Sequence, residues 1–305
     1  MTAVTGMIGF PLTPLADDAI DERGCVGIIE RLGAAGIDGI AVLGSTGSYA
    51  YLNRGERRRV AQLALRHAGE TPVIVGVGAL RTSDVLAGVR DAEEVGAAGV
   101  LLAPMTYQPL TDDDVFELFS TVAERSALPI IAYDNPVTTH FTFTPELTAR
   151  IAELPGVASL KVPGAIYQHA DPAVAAERVA ELRRTLPAGV TIGASGDAFA
   201  AAALTAGCDA WYSVIGGLLP ELALSLTRAA QAGNTAAAHD ISERAAPLWR
   251  LFAEFGSIRV VAALAEHLGL CGAGSLPLPI QGLTGPQRER VAAAATELRE
   301  LALLS

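Results

Sequence analysis

Lys161 is the only lysine among the 22 lysine and arginine residues of this chain of 305 residues. It stands in the apolar segment 157–162, which reads Val-Ala-Ser-Leu-Lys-Val and predicts a buried strand. Arginine is effectively never deprotonated, whereas a lysine amine in an apolar setting can lose its proton and act as a nucleophile. Its attack on a 2-oxo acid gives an imine, so we expect Schiff-base chemistry at Lys161 that needs no metal or organic cofactor.

Two further segments could complete such a site. A Gly-Ser-Thr-Gly turn, residues 44–47, follows the second predicted strand, and the free N–H groups of a turn of this kind suit an anion, either carboxylate or phosphate. Tyr133 ends the fifth predicted strand, next to the strand of Lys161. Its phenol could provide the general acid and base catalysis that imine formation requires.

Short apolar runs alternate with longer segments of helical periodicity, which is the pattern of successive βα units. Eight repeats predict an α/β fold, a (β/α)8 TIM barrel, with the site at the carboxyl ends of its strands. An open, doubly wound sheet is the alternative. The predicted strands are residues 7–13, 39–44, 72–78, 99–104, 129–134, 157–162, 190–195 and 210–214.

The chain continues with helical patterns after the eighth strand. We expect the barrel through strand 8 at residues 1–217, and the last barrel helix with a C-terminal helical extension at 218–305, packed as one domain. Capping residues are predicted at Thr82, Thr111 and Thr144. The helices predicted after strand 8 are residues 219–232, 235–254, 257–268 and 286–303.

Composition narrows the classes of partner. The net charge of −11, with dispersed arginines, is unfavourable for binding nucleic acid or anionic lipid. No apolar run approaches the roughly 20 residues of a membrane-spanning helix, and the amino terminus lacks the basic region of a secretory signal. We therefore expect a cytoplasmic protein with no nucleic-acid or membrane partner.

The cysteines and histidines predict neither a disulfide framework nor a metal site, because they are scattered and share no ligand spacing. Reduced, buried thiols are expected. The three cysteines are Cys25, Cys208 and Cys271, and the five histidines are His67, His140, His169, His239 and His267.

Four motifs in order give the chain a resemblance to a known family, the dihydrodipicolinate synthase / N-acetylneuraminate lyase family of class I aldolases. They are Gly-Ser-Thr-Gly at 44–47, Tyr-Asp-Asn-Pro at 133–136, Ser-Leu-Lys at 159–161 and Ser-Gly-Asp at 195–197. The resemblance extends over roughly residues 5–215. It implies a TIM-barrel lyase that forms a Schiff base with pyruvate or a related 2-oxo acid and has no cofactor.

The resemblance also implies roles for individual residues. Lys161 would be the nucleophile, Tyr133 the proton shuttle and Thr46 its hydrogen-bonded relay partner. Ser45 and Thr46 would hold the carboxylate of the 2-oxo acid. Gly196, and a backbone carbonyl near Tyr212 on the eighth strand, would face the substrate. An aldehyde as second substrate and a homo-oligomer, a tetramer or a dimer, are further expectations from the family.

The chain departs from the family pattern where a second substrate would bind. Thr138 takes the place of the arginine with which the synthases hold that substrate's carboxylate, and Thr139 and His140 follow it. We therefore include Thr138 and His140 among the predicted substrate-binding residues. Asp134 and Ser48 also replace the family's usual Asn and Glu, without removing the core chemistry.

The second departure concerns a pair of tyrosines, one of which enters a neighbouring subunit's site in the synthases. Met105 and Thr106 stand at these positions, and Tyr107 is shifted by one. Thr106 and Tyr107 are included as predicted substrate-binding residues. Together the departures favour a lyase, an aldolase or dehydratase, that acts on a different 2-oxo acid, such as one derived from a sugar acid.

Three alternatives stay open from the sequence. The first is a genuine 4-hydroxy-tetrahydrodipicolinate synthase of lysine biosynthesis. The second is a catalytically silent barrel that binds 2-oxo acids, although carboxylate binding alone would not require the lone lysine. The third is a phosphate-binding barrel enzyme with a second anion site at residues 213–218, Ser-Val-Ile-Gly-Gly-Leu. It leaves Lys161 unexplained.

Overall fold

Eight parallel strands close into a barrel in the computed structural model, which describes residues 4–169 and 171–301. Each strand pairs with its neighbours in the chain, and the first strand pairs with the last and closes the barrel. The predicted (β/α)8 fold is confirmed. The strands are β1 (Gly6–Gly9), β2 (Gly39–Val42), β3 (Val73–Gly76), β4 (Gly99–Leu102), β5 (Ile130–Tyr133), β6 (Val157–Pro163), β7 (Thr191–Ser195) and β8 (Ala210–Ser213).

The first strand is the one whose predicted end was wrong by several residues. It ends at Gly9 instead of residue 13. Pro11 and Pro14 lack the N–H group that would continue a ladder. The segment therefore leaves the sheet after Phe10, whose N–H still donates to the Ser213 carbonyl at 2.8 Å.

Helices fill the connections between strands and continue after β8. The barrel helices are α1 (Glu22–Ala35), α2 (Arg54–His67), α3 (Thr82–Val95), α4 (Asp112–Ala123), α5 (Pro145–Ala152), α6 (Pro172–Thr185), α7 (Ala200–Thr205) and α8 (Pro220–Gln231). The helices of the extension are α9 (Thr235–Arg244), α10 (Ala246–Phe255), α11 (Ser257–His267) and α12 (Gly285–Glu300).

Two details of the helices correct the expectations. Thr111 and Thr144 cap α4 and α5 as predicted, but Thr82 is the first residue of α3 and makes no cap hydrogen bond. The helix predicted over 235–254 is two helices, because Pro247 cannot donate to the carbonyl of Glu243 and its ring clashes with that turn. For the last helix, predicted residues 302 and 303 lie outside the described residues.

The hydrophobic residues form two cores, one between the strands and the helices and one inside the barrel. The outer core continues into the C-terminal extension through residues such as Leu248, Val260 and Val291. The interior of the barrel is filled with side chains and forms the floor beneath the mouth. The interior cluster consists of Ile8, Phe10, Ala41, Ile74, Leu101, Ala103, Ile131, Tyr133, Ala210 and Tyr212.

Among residues 4–169 and 171–301, no helix has the length and the apolar character that crossing a membrane requires.

Candidate active site

Lys161 lies near the carboxyl end of β6 with a side chain that is only 4% exposed. Its Cα pairs in register with Tyr133 on β5 and with Gly193 on β7. The amine Nζ lies 3.6 Å from the ring centroid of Phe10, 3.9 Å from that of Tyr133 and 5.6 Å from that of Tyr212. Three aromatic rings therefore surround the one amine side chain of the protein.

This surrounding determines the protonation of Lys161. Burial lowers the pKa of the amine well below the usual value of 10.5, and the nearby Asp197 carboxylate opposes that effect only in part. Desolvation disfavours the charged ammonium form relative to the neutral amine. The amine is therefore available as a nucleophile at a much lower pH than an exposed lysine.

Phe10 forms the apolar wall next to the amine, a role that the sequence did not reveal. It is 2% exposed and packs edge-on against Tyr212, with 6.0 Å between the ring centroids. Gly44 makes room for its ring, because a Cβ at that position would lie 2.6 Å from Phe10 Cδ1. The first glycine of the Gly-Ser-Thr-Gly turn thus permits the close packing under Lys161.

Tyr133 brings a phenol to the same place. Burial raises the pKa of Tyr133, and hydrogen bonds with Ser45 and Asn135 partly offset this increase. Thr46 is also buried, but none of the described hydrogen bonds joins Thr46 to Tyr133. Ser45 is the residue of the turn that lies close enough to the phenol to lower its pKa, and the relay role of Thr46 stays a prediction.

The turn that carries Ser45 and Thr46 is held by two residues in the left-handed region. Leu43 has φ of 59° and Ser48 has φ of 56°, conformations that L-residues rarely adopt outside functional or tightly constrained sites. The carbonyl of Leu43 approaches Gly76 so closely that a Cβ there would lie 1.8 Å from it. Backbone strain and a glycine on β3 therefore fix the direction of the turn.

Asp197 connects the last two strands beneath the mouth. One of its carboxylate oxygens accepts from Trp211 Nε1 at 3.0 Å, Ser213 Oγ at 3.0 Å and the Val214 N–H at 3.1 Å. The other accepts from the Ile215 N–H at 2.8 Å. Burial raises the pKa of Asp197 to about 6 against these four donors. The sequence motif identified the position but not this structural role.

Gly196 precedes that carboxylate with φ of 89°, a conformation that favours glycine. A Cβ at Gly196 would also lie 2.9 Å from the Phe199 ring. Tyr212 points into the barrel, where its hydroxyl donates to Ser159 Oγ at 2.6 Å, and Ser159 donates to the Thr191 carbonyl at 3.2 Å. The backbone carbonyl predicted near Tyr212 as a substrate contact stays a prediction.

The residues predicted for a second substrate are not all brought to Lys161. Tyr107 is 89% exposed and makes no described contact with the group around the amine. The hydroxyl of Thr106 is buried without a partner among the described residues. Thr138 and His140 are both exposed, in and after the one-turn helix Pro136–Thr139 that follows β5.

Comparisons with known proteins agree with this geometry. A model of the dihydrodipicolinate synthetase family matches residues 3–298. The 4-hydroxy-tetrahydrodipicolinate synthase of Thiobacillus denitrificans is 34% identical over 287 residues, 93% of each chain. That of Methylococcus capsulatus is 32% identical over 291 residues, 94% of this chain and 96% of the relative. The crystal structure of a dihydrodipicolinate synthase from Agrobacterium tumefaciens has a TM-score of 0.90 and 44% identity, covering 96% of this chain and 98% of that chain.

Proposed function

The chain belongs to the dihydrodipicolinate synthetase family of class I aldolase-type lyases, and we propose that Lys161 forms a Schiff base with pyruvate or a related 2-oxo acid. One observation carries the proposal: the amine is buried against Phe10 and Tyr133 at the barrel mouth. A lysine kept there only as a structural cation would be poorly placed, because among the described residues Asp197 is the one charged group that raises its pKa, and burial outweighs that effect. A neutral nucleophile needs such a position.

The reaction begins with attack of the neutral amine on C2 of the 2-oxo acid. A C–N bond forms, the carbonyl π electrons move to oxygen, and proton transfer gives a carbinolamine. Tyr133 then gives its proton to the departing hydroxyl, which leaves as water, and the protonated imine remains. The protonated imine withdraws electrons from C3, so that transfer of a C3 proton to the Tyr133 phenolate restores the phenol and yields an enamine.

The turn at 44–47 is the proposed carboxylate site. Ser45 already meets the Tyr133 phenol, so a carboxylate bound by Ser45 and Thr46 would place C2 close to both the amine and the proton donor. Because imine formation depends on near-attack geometry, positioning of this kind accounts for much of the expected acceleration.

We propose a lyase or dehydratase reaction on pyruvate or a related 2-oxo acid, with a second substrate that differs from that of the synthases. The relatives named above are called 4-hydroxy-tetrahydrodipicolinate synthases. By the family pattern that the resemblance implies, Thr138 stands at the position of a carboxylate-binding arginine, and residues 134–144 contain neither lysine nor arginine. The segment 134–144 therefore suits a second substrate with neutral hydroxyl groups, such as a hydroxyaldehyde, better than a second substrate with a carboxylate.

A homo-oligomer, a tetramer or a dimer, is part of the proposal. Three large side chains with apolar surface are exposed near the carboxyl ends of consecutive strands. They are Tyr51 after β2 at 50%, Leu80 after β3 at 60% and Tyr107 after β4 at 89% exposure. Where exposed apolar groups form one contiguous patch, they mark a protein interface, and these three connections are neighbours in the barrel.

Solvent exchange at C3 tests the proposed chemistry without knowledge of the second substrate. Pyruvate in D2O should exchange its methyl protons in the presence of the enzyme, as followed by proton NMR, and Lys161→Arg should abolish the exchange. Absence of exchange with pyruvate and with a panel of longer 2-oxo acids would contradict the proposal. Rapid turnover of pyruvate with aspartate semialdehyde would show instead that the chain has the synthase activity.

A further inference from the structure

We propose that Asn135 is a positioning residue that holds the Tyr133 hydroxyl in place for Lys161 and links it to Thr138 on the second-substrate side. The role rests on the proposed function, because it concerns the proton donor of imine formation. Asn135 lies between β5 and the one-turn helix Pro136–Thr139.

The backbone of Asn135 is fixed by the segment that follows it. Its carbonyl accepts from the Thr138 N–H at 3.1 Å, the Thr139 N–H at 3.0 Å and the Thr139 hydroxyl at 2.9 Å. The following Pro136 restricts it further, because a residue before proline is disfavoured in the helical region, and Asn135 has φ of −143° and ψ of 72°. The direction of the Asn135 side chain is therefore set by its own segment and does not depend on a bound substrate.

The side-chain amide meets three hydroxyl groups. Nδ2 donates to Ser45 Oγ at 3.5 Å and to Thr138 Oγ1, and the amide lies close enough to the phenol of Tyr133 to lower its pKa. An amide carries two N–H donors and an acceptor oxygen, so it can serve several hydroxyls at once. Asn135 is the described side chain that joins the proposed proton donor, the proposed carboxylate turn and the second-substrate segment.

The neighbouring Asp134 shows why an amide occupies this place. Its carboxylate accepts from the Phe143 N–H at 3.4 Å and makes no described hydrogen bond with Asn135. Burial raises the pKa of Asp134 to about 6. A carboxylate in the place of Asn135 would accept the phenol proton and compete with the substrate for it, whereas an amide keeps its hydrogens throughout the working pH range.

The test measures the rate at which pyruvate is trapped on Lys161 by borohydride in quenched time courses from pH 6 to pH 10. Asn135→Ala should slow trapping roughly 10-fold, the factor that corresponds to one lost hydrogen bond to the reacting group. In the isosteric Asn135→Asp, trapping should also be slow, and the ratio of its rate to the wild-type rate should rise as the pH falls and the new carboxylate takes up a proton. Val137→Ala changes an exposed residue of the same one-turn helix and should leave rate and pH profile unchanged.

The outcomes separate the two proposals. No adduct on the wild-type protein with pyruvate or a longer 2-oxo acid would contradict the Schiff-base function itself. An adduct on the wild type, with Asn135→Ala and Asn135→Asp matching its rate and pH profile, would overturn the role of Asn135 alone. If Asn135→Ala fails to fold by circular dichroism, Asn135→Asp, which keeps the shape of the side chain, decides the question.

Discussion

Lys161 and Tyr133 are register partners on adjacent strands, and the amine lies 3.9 Å from the centroid of the Tyr133 ring. The residue that helps remove water from the nucleophile is therefore the residue that bears the proposed proton donor. In a closed barrel both side chains point inward from paired positions. Neither side chain can move far without disturbing the other. The reactivity of the Lys161 amine and the proton transfer by Tyr133 therefore depend on the same pair of adjacent strands.

The first prediction concerns pH. Only the neutral amine attacks a carbonyl, and burial lowers the pKa of Lys161 well below 10.5. The trapping rate with pyruvate should rise with pH, reach its plateau well below the usual pKa of a lysine, and fall as the pH decreases through the lowered pKa. Borohydride quenching across pH 5–10 measures the profile. A rate that keeps rising up to pH 10 would mean that the amine is solvated.

Replacement of Phe10 tests whether its ring excludes water from the Lys161 amine. Phe10→Ala opens space in which water can reach Lys161, so the trapping profile should move to higher pH. The protein should lose about 3–5 kcal/mol of stability, as is usual for a buried Phe→Ala change. Phe10→Leu keeps an apolar wall and should shift the profile less.

Phe119→Ala is the matched control for Phe10. Phe119 lies on α4, is fully buried and packs edge-on against Phe143 in the outer core, outside the barrel interior. It should lower stability to a similar extent without moving the pH profile. If both alanine variants gave the same profile as the wild type, the ring of Phe10 would have no influence on the amine.

Lys161→Met should stabilise the protein while abolishing adduct formation. Between the lowered folded pKa and 10.5 the unfolded chain binds one more proton than the folded chain, so wild-type stability rises with pH across that window. Methionine removes this dependence. The gain, on the order of 1–2 kcal/mol, should therefore be largest at the low end of the window and vanish near pH 10. Thermal unfolding at several pH values measures it, and a lower Tm for Lys161→Met at pH 7 would contradict the burial of an uncompensated amine.

Asp197→Asn should destabilise the mouth of the barrel. The amide of asparagine can accept from three of the four donors, but its NH2 group then faces the Ile215 N–H, which is left without an acceptor. The expected loss is about 1–3 kcal/mol. Asp240→Asn, which removes an exposed ion pair with Arg244, should change stability by less than about 1 kcal/mol. Equal effects of the two substitutions in denaturant titrations would argue against a structural role of Asp197.

Much of the fold could be predicted because strand periodicity and cap residues are local signals. The apolar run around Lys161 and the capping residue Thr144 each carry their signal within a few positions, and both were confirmed. The predicted end of β1 and the single helix predicted over 235–254 were wrong, because apolar periodicity outweighed the proline signals in both segments.

The candidate site was predictable only in part, for a physical reason. Lys161 and Tyr133 stand out by residue type and by their places at strand ends. The ring of Phe10 and the amide of Asn135 reach the site through contacts between segments far apart in sequence. Phe10 resembles ordinary core and Asn135 an ordinary turn residue until closure of the barrel brings them to the amine and the phenol.

The central claim is tested most directly by intact-mass spectrometry after incubation with pyruvate and borohydride, comparing the wild type with Lys161→Ala. We expect one pyruvate-sized addition on the wild-type chain, located at Lys161 by peptide mapping, and none on the variant. An addition of equal size and extent on Lys161→Ala, or no addition on the wild type with any 2-oxo acid tried, would contradict the assignment of Lys161 as the Schiff-base residue.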